Sequence, residues 1–149
     1  MKLILILILL STSCSSISNY ITHHLGIRSP MNIYNLNNIN DLKWKFRPLI
    51  ISSIDLSIQL TDNNEQLIER SIAVITIKNN IAYLNSIPMS NAFLNSVNKK
   101  INSISKKNIM ILIGLDGRIK KTYLEDIDMG HIFRDIDSMP MRINEMKNK

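Results

Sequence analysis

The sequence predicts an α/β fold, a central mixed sheet in the element order βαβαββα with helices on both faces. Three observations lead there. Short Ile-rich runs of strand length alternate with stretches whose apolar residues recur at helical spacing. An Asp-Gly pair separates the last apolar run from a half-polar return, as a hairpin does. A hydrophobic share of 45% is enough to fill a core, and the chain of 149 residues, less its N-terminal segment, is long enough for one domain but not two.

Each element has its own warrant. Arg47 to Ile54 (RPLIISSI) is a short apolar run opened by Pro48, suited to a central strand buried on both faces. The polar stretch from Asp55 to Arg70 places Leu56, Leu60 and Leu67 on one face, and Asp62 with Glu65 has capping-box spacing, so a helix is expected there. Ser71 to Ile77 (SIAVITI) is β-branched and apolar, a second strand. Pro88 suits the first turn of a second helix, along which Met89, Phe93, Val97 and Ile101 form a stripe. Ile109 to Leu115 (IMILIGL) is the most hydrophobic run of the body. Asp116-Gly117 then predicts a two-residue hairpin turn, with Arg118 to Tyr123 returning as a half-exposed strand. Met129, Ile132, Phe133 and Ile136 mark a last amphipathic helix, capped by Asp128 and ended near Pro140. A strand-helix-strand unit requires a parallel pair with a right-handed crossover, and the hairpin with its covering helix completes the sheet. That arrangement is thioredoxin-like.

Trp44 with Arg47-Pro48-Leu49-Ile50, Leu112-Ile113-Gly114-Leu115-Asp116-Gly117, and Ile136-Asp137-Ser138-Met139-Pro140-Met141-Arg142 together resemble a bacterial domain-of-unknown-function family. Relatives of that family include the thioredoxin-like, peroxiredoxin-like domain of animal sushi-repeat and related extracellular matrix proteins (the group called DUDES). The resemblance covers about Trp44 to Met146. Leu115 stands where the family usually has Lys, and Ser71 where an acidic residue is common. The resemblance implies the fold and an extracytoplasmic setting. It transfers no catalytic residue.

The N-terminus carries a second message. Lys2, the apolar run Leu3 to Leu10, then Ser11, Thr12 and Ser13 follow the order of a secretory signal. That run is too short for a spanning helix, which needs ~20 residues. Cys14, the single cysteine, follows directly, so acylation of its thiol after cleavage is expected, although Leu10 lies four residues before it where lipoprotein signals usually place Leu three before. Simple cleavage after Ser13 is the other reading. The expected organisation is a signal peptide over 1–13, a lipid-anchored or free tether over 14–43, the thioredoxin-like domain over 44–146 and a tail over 147–149. The net charge of +6 becomes +5 without Lys2 and favours acidic partners without specifying one.

Chemistry is scarce. A redox thioredoxin holds its nucleophilic Cys after the first central strand, at a helix N-terminus that lowers the thiol pKa. Here that place is Ile54-Asp55-Leu56-Ser57, without sulfur, and Lys106-Lys107-Asn108 replaces the proline that usually faces the active-site pair. No catalytic residue, cofactor or metal is expected. His23-His24 lies in the tether, His131 far away in the last helix, and Asp55, Asp62, Asp116, Asp126 and Asp128 show no acid/base spacing. Lys99, Lys100, Lys106, Lys107, Arg118, Lys120 and Lys121 form the one surface cluster, either an anion-binding face or lysines that blunt an edge strand and complement a helix C-terminus. Nucleic acid is not expected, because the chain is read as exported and aromatics do not interleave with the cluster. Arg142 is expected to bond the free carbonyls where the last helix ends. The function expected is an exported, lipid-anchored binding module of the periplasm or cell envelope, held to the membrane by Cys14 and meeting an envelope protein or acidic ligand. A peroxiredoxin-like or other oxidoreductase activity is the competing expectation.

Overall fold

Arg47–Ile51 is an uninterrupted apolar run behind one arginine, and all five residues are buried. It forms β1, the strand about which the sheet is built. The computed structural model describes residues 35–52, 60, 62–104, 110–123 and 128–148. They lie within one compact unit, Ile33–Lys149.

The chain continues through α1 (Asn64–Glu69), β2 (Ile72–Lys78), β3 (Ile81–Leu84), β4 (Ile87–Pro88), α2 (Asn91–Asn102), β5 (Met110–Ile113), β6 (Ile119–Tyr123), α3 (Met129–Asp137) and α4 (Pro140–Lys147). These strands make one sheet in the order β4-β3-β2-β1-β5-β6. β1 and β2 are parallel, with Leu49 opposite Val74, while β5 is antiparallel to β1 with Leu49 opposite Leu112. The β2–β3, β3–β4 and β5–β6 pairs are antiparallel. The fold is therefore α/β, a mixed six-stranded sheet flanked by helices.

Strand alternation divides the core. Leu49, Ile51, Val74, Met110 and Leu112 join Leu67 of α1 and Ile132, Phe133 and Ile136 of α3 in one cluster, with Leu60 packed against it. Ile50 and Ile111, equally buried, alternate with that set. α2 lies against β3 and buries Phe93, Leu94 and Val97.

Five details depart from the expectations above, each for a physical reason. The sequence pattern predicts no strand over residues 81–88, yet they form β3 and β4. The turns joining them are Asn79-Asn80 and Asn85-Ser86, all four at positive φ (50°, 60°, 46° and 69°). Asn tolerates this left-handed region, so a tight hairpin forms without glycine. Pro88 consequently belongs to the edge strand β4, where no ladder N–H is required, rather than to a helix. α2 begins later, capped by Ser90, whose Oγ accepts from Phe93 N at 3.2 Å.

The β5–β6 turn is longer than the predicted two residues. Ile113 pairs with Ile119, Gly117 N donates to Gly114 O at 2.9 Å, and Gly117 takes φ +73°. Pro140 opens α4 at its first turn instead of closing α3, since the missing N–H costs nothing there. Finally, Leu36, Ile39 and Leu42 are buried although they fall in the stretch predicted as tether. Their spacing of three fits the 3₁₀ turn Ile39–Leu42, whose repeat is three residues.

Candidate functional site

The basic cluster maps onto two elements and is divided by them. Lys99 lies on α2, and Lys100, in the last turn of that helix, donates to Gly117 O at 3.0 Å. Arg118 is exposed beside the β5–β6 turn. Lys120 pairs with Asp116 at 2.8 Å, and this hydrogen bond, with the Arg118 N–H, holds the Asp116 carboxyl below the ordinary range. Lys121, on the alternate face of edge strand β6, reaches Asp135 of α3 at 2.7 Å and lies 5.8 Å from the Tyr123 ring centroid. Burial raises the Asp135 pKa, but the bonds from Lys121 and Tyr123 outweigh it and the net shift is downward. Burial and that same carboxylate push the Tyr123 hydroxyl up. Lys106 and Lys107 lie outside the described residues. Lys100, Arg118 and Lys120 thus gather at one hairpin, whereas Lys121 is committed to α3.

A second constellation has no counterpart in the sequence reading. Arg47 at the start of β1, Arg70 after α1 and Arg142 in α4 are the buried charged residues among those described. Arg142 donates to Glu69 O at 3.1 Å, Glu69 Oε1 at 2.8 Å and Asp137 Oδ1 at 3.1 Å. Arg47 donates to Arg70 O at 2.8 Å and pairs with Glu145 at 2.6 Å; Arg142 meets the other Glu145 oxygen at 3.5 Å. Arg70 pairs with Asp137 at 2.6 Å, bonds Gln66, and lies 4.8 Å from the Phe133 ring centroid. Burial pushes the Asp137 carboxyl up, yet the bonds from Arg70 and Arg142 outweigh it and leave its pKa lowered. Three cations meet three carboxylates, Glu69, Asp137 and Glu145, so the net leaves no charge for a ligand. It ties α1, α3 and α4 to the entry of β1. The sequence places Arg142 on carbonyls at the end of the last predicted helix, α3; it bonds the end of α1 instead, because α4 continues the chain past Pro140. The only sequence signal was two arginines in family-like motifs, with nothing in the spacing to pair them.

The third feature is Trp44, the one tryptophan, 68% exposed and at φ 64°. Its N–H donates to Leu115 O at 2.8 Å, which fixes the turn Lys43-Trp44-Lys45 to the β5–β6 hairpin. A Cβ at Gly117 would collide with the Lys43 side chain at Cε, so Lys43 lies directly over that glycine. Lys43 and Lys100 line one small cleft with Phe46, Pro48 and Gly114. In the sequence no aromatic interleaves with the basic cluster; in space Trp44 adjoins it.

A family model described as a domain of unknown function (DUF4174) matches residues 38–145. The chain belongs to this family. No curated protein and no solved structure matches it. The DUF4174 stretch runs from Asn38, the cap of the 3₁₀ turn, to Glu145, the carboxylate that Arg47 and Arg142 share. All three buried arginines and Trp44 fall inside it; Cys14 does not.

The DUF4174 domain holds no cysteine, and one cysteine in the whole chain excludes a CxxC pair. Among the described residues no group of His, Cys, Asp and Glu is placed to hold a metal ion. His131 is exposed, 3.7 Å from Asp135 and edge-on to Tyr123. Cys14, His23, His24 and Ile54 to Ser57 lie outside the described residues, as do Asp126 and Lys106 to Asn108. No described helix is long and apolar enough to cross a membrane.

Proposed function

We propose that this protein is exported, acylated at Cys14 and held at the cell envelope, where its thiol-free, thioredoxin-like domain serves as a binding module. One observation carries the reading: the single sulfur nucleophile stands directly after the apolar run Leu3 to Leu10 and its small polar residues, outside the DUF4174 match. That position suits lipid attachment and not redox work within the folded domain. The thioredoxin-like assignment draws support from the parallel β1–β2 pair joined through α1 and from the β5–β6 hairpin followed by α3. The partner proposed is an envelope protein or an acidic ligand.

Metabolic labelling with a radioactive fatty acid tests the anchor. Label is expected in the wild-type protein and absent from Cys14→Ala. An unlabelled wild-type protein recovered in the soluble fraction would contradict the proposal.

A further inference from the structure

We infer that this domain has a membrane-facing side: the turn Lys43-Trp44-Lys45, with Lys100 and Arg118, docks on a bilayer surface containing anionic phospholipid. The inference rests on the proposed anchoring and deepens it, since an acylated Cys14 would bring the domain to such a surface.

Among the described residues Trp44 is the most exposed large hydrophobic side chain, at 68% against about two-fifths for Ile81, Met141 and Met146. A single exposed apolar residue is ordinary on a protein surface. Trp44 is set apart by how it is held. A non-glycine residue at φ 64° is uncommon, and the bond from its N–H to Leu115 O holds the turn there. The indole is therefore presented by a fixed backbone, not by a loose loop. Tryptophan concentrates at the headgroup level of membranes, where its ring finds apolar contact and its N–H stays wet.

Positive charges outnumber negative ones around it. Lys43 and Lys45 flank the indole and are exposed. Lys43 extends over Gly117, whose carbonyl accepts from Lys100, and Arg118 follows in the chain. The acidic groups nearby are engaged: Asp116 by Lys120 and the Arg118 N–H, and Asp41 by the N–H groups of Asn37 and Asn38. A cationic patch with an exposed indole is complementary to anionic headgroups, and each Lys or Arg near such a surface adds to the attraction.

The chain's own connectivity points the same way. The described residues begin at Asn35, twenty-one positions after Cys14, and reach Trp44 nine residues later. Covalent geometry alone limits the distance from an acylated Cys14 to Asn35 to about 75 Å. A domain so confined needs only weak surface affinity to remain docked.

Because the chain has one tryptophan, its emission reports on this site alone. The probe is the chain from residue 14 onward carrying Cys14→Ser, mixed with phosphatidylcholine vesicles with and without phosphatidylglycerol. Expected are a blue shift with the phosphatidylglycerol vesicles only, reversed by added salt, and vesicle cosedimentation weakened about fivefold by Lys45→Ala. Lys78→Ala, at the end of β2, removes the same charge and should leave binding unchanged. Unshifted emission, equal binding to neutral vesicles, or equal weakening by both substitutions would overturn the inference. None of these outcomes bears on acylation, which fatty-acid labelling reads separately.

Discussion

At the scale of single residues, Arg142 carries the most structural consequence. It is almost completely buried, yet reaches three oxygen atoms at the ends of two other helices, α1 and α3. Removing one partner of a buried ion pair leaves charge without compensation, at a typical cost of about 3–5 kcal/mol. Glu69 and Asp137 keep some access to water, so Arg142→Met should cost about 3 kcal/mol, the lower end of that range. Arg142→Lys should recover little, because a lone ammonium cannot reproduce a planar fork. Urea unfolding measures both, and full recovery with lysine would show that the fork geometry is unimportant. Asp137 adds a pH dependence. Its folded pKa is lowered, so on acidification the unfolded chain takes up this proton first, and protonation favours unfolding. The stability it contributes is complete above the ordinary aspartate pKa of ~3.9 and is lost as pH falls through the lower folded value. Asp137→Asn should lower stability near neutrality and flatten the slope of unfolding free energy against pH in that acid window.

Among the elements, the two Asn turns distinguish what was legible from what was not. The central strands announced themselves: the runs at Arg47, Ser71 and Ile109 became β1, β2 and β5 because apolar, β-branched segments of strand length have few other uses. The cap at Asp128 was equally plain, and so was the presence of a hairpin at Asp116-Gly117, though not the length of its turn, since each depends on chemistry within a few residues. β3 and β4 were not legible. Their turns carry no glycine, and four-residue and two-residue strands hold too little pattern to register against a neighbouring proline. Asn85 also completes the ladder with its side chain: Oδ1 accepts from Val74 N at 2.7 Å while its own N–H donates to Val74 O at 2.8 Å. Asn85→Ala should therefore cost about 1–3 kcal/mol, the penalty of a buried backbone donor left without a partner. Asn80→Gly, at φ 60°, should instead stabilise by a few tenths of a kcal/mol, since Asn-Gly is the preferred pair for such a turn. Thermal unfolding of the two variants should move in opposite directions. The arginine net was illegible for another reason, because it joins segments up to 98 residues apart and no local rule pairs them.

For the whole molecule, the proposed function turns on where the one thiol and the charges lie. The DUF4174 domain carries a balanced ionic net at the entry of β1, a cationic turn at its hairpin, and no thiol. The sequence already placed the only cysteine ahead of the domain; it did not place Trp44 beside the basic hairpin, which only the fold brings together. We propose that the domain works by binding and not by thiol chemistry. The most direct test is an assay of peroxide consumption and disulfide reduction by the purified chain from residue 14 onward, with and without Cys14→Ser. Background rates are expected in both. Turnover that survives Cys14→Ser and is abolished by a substitution within residues 38–145 would contradict the account.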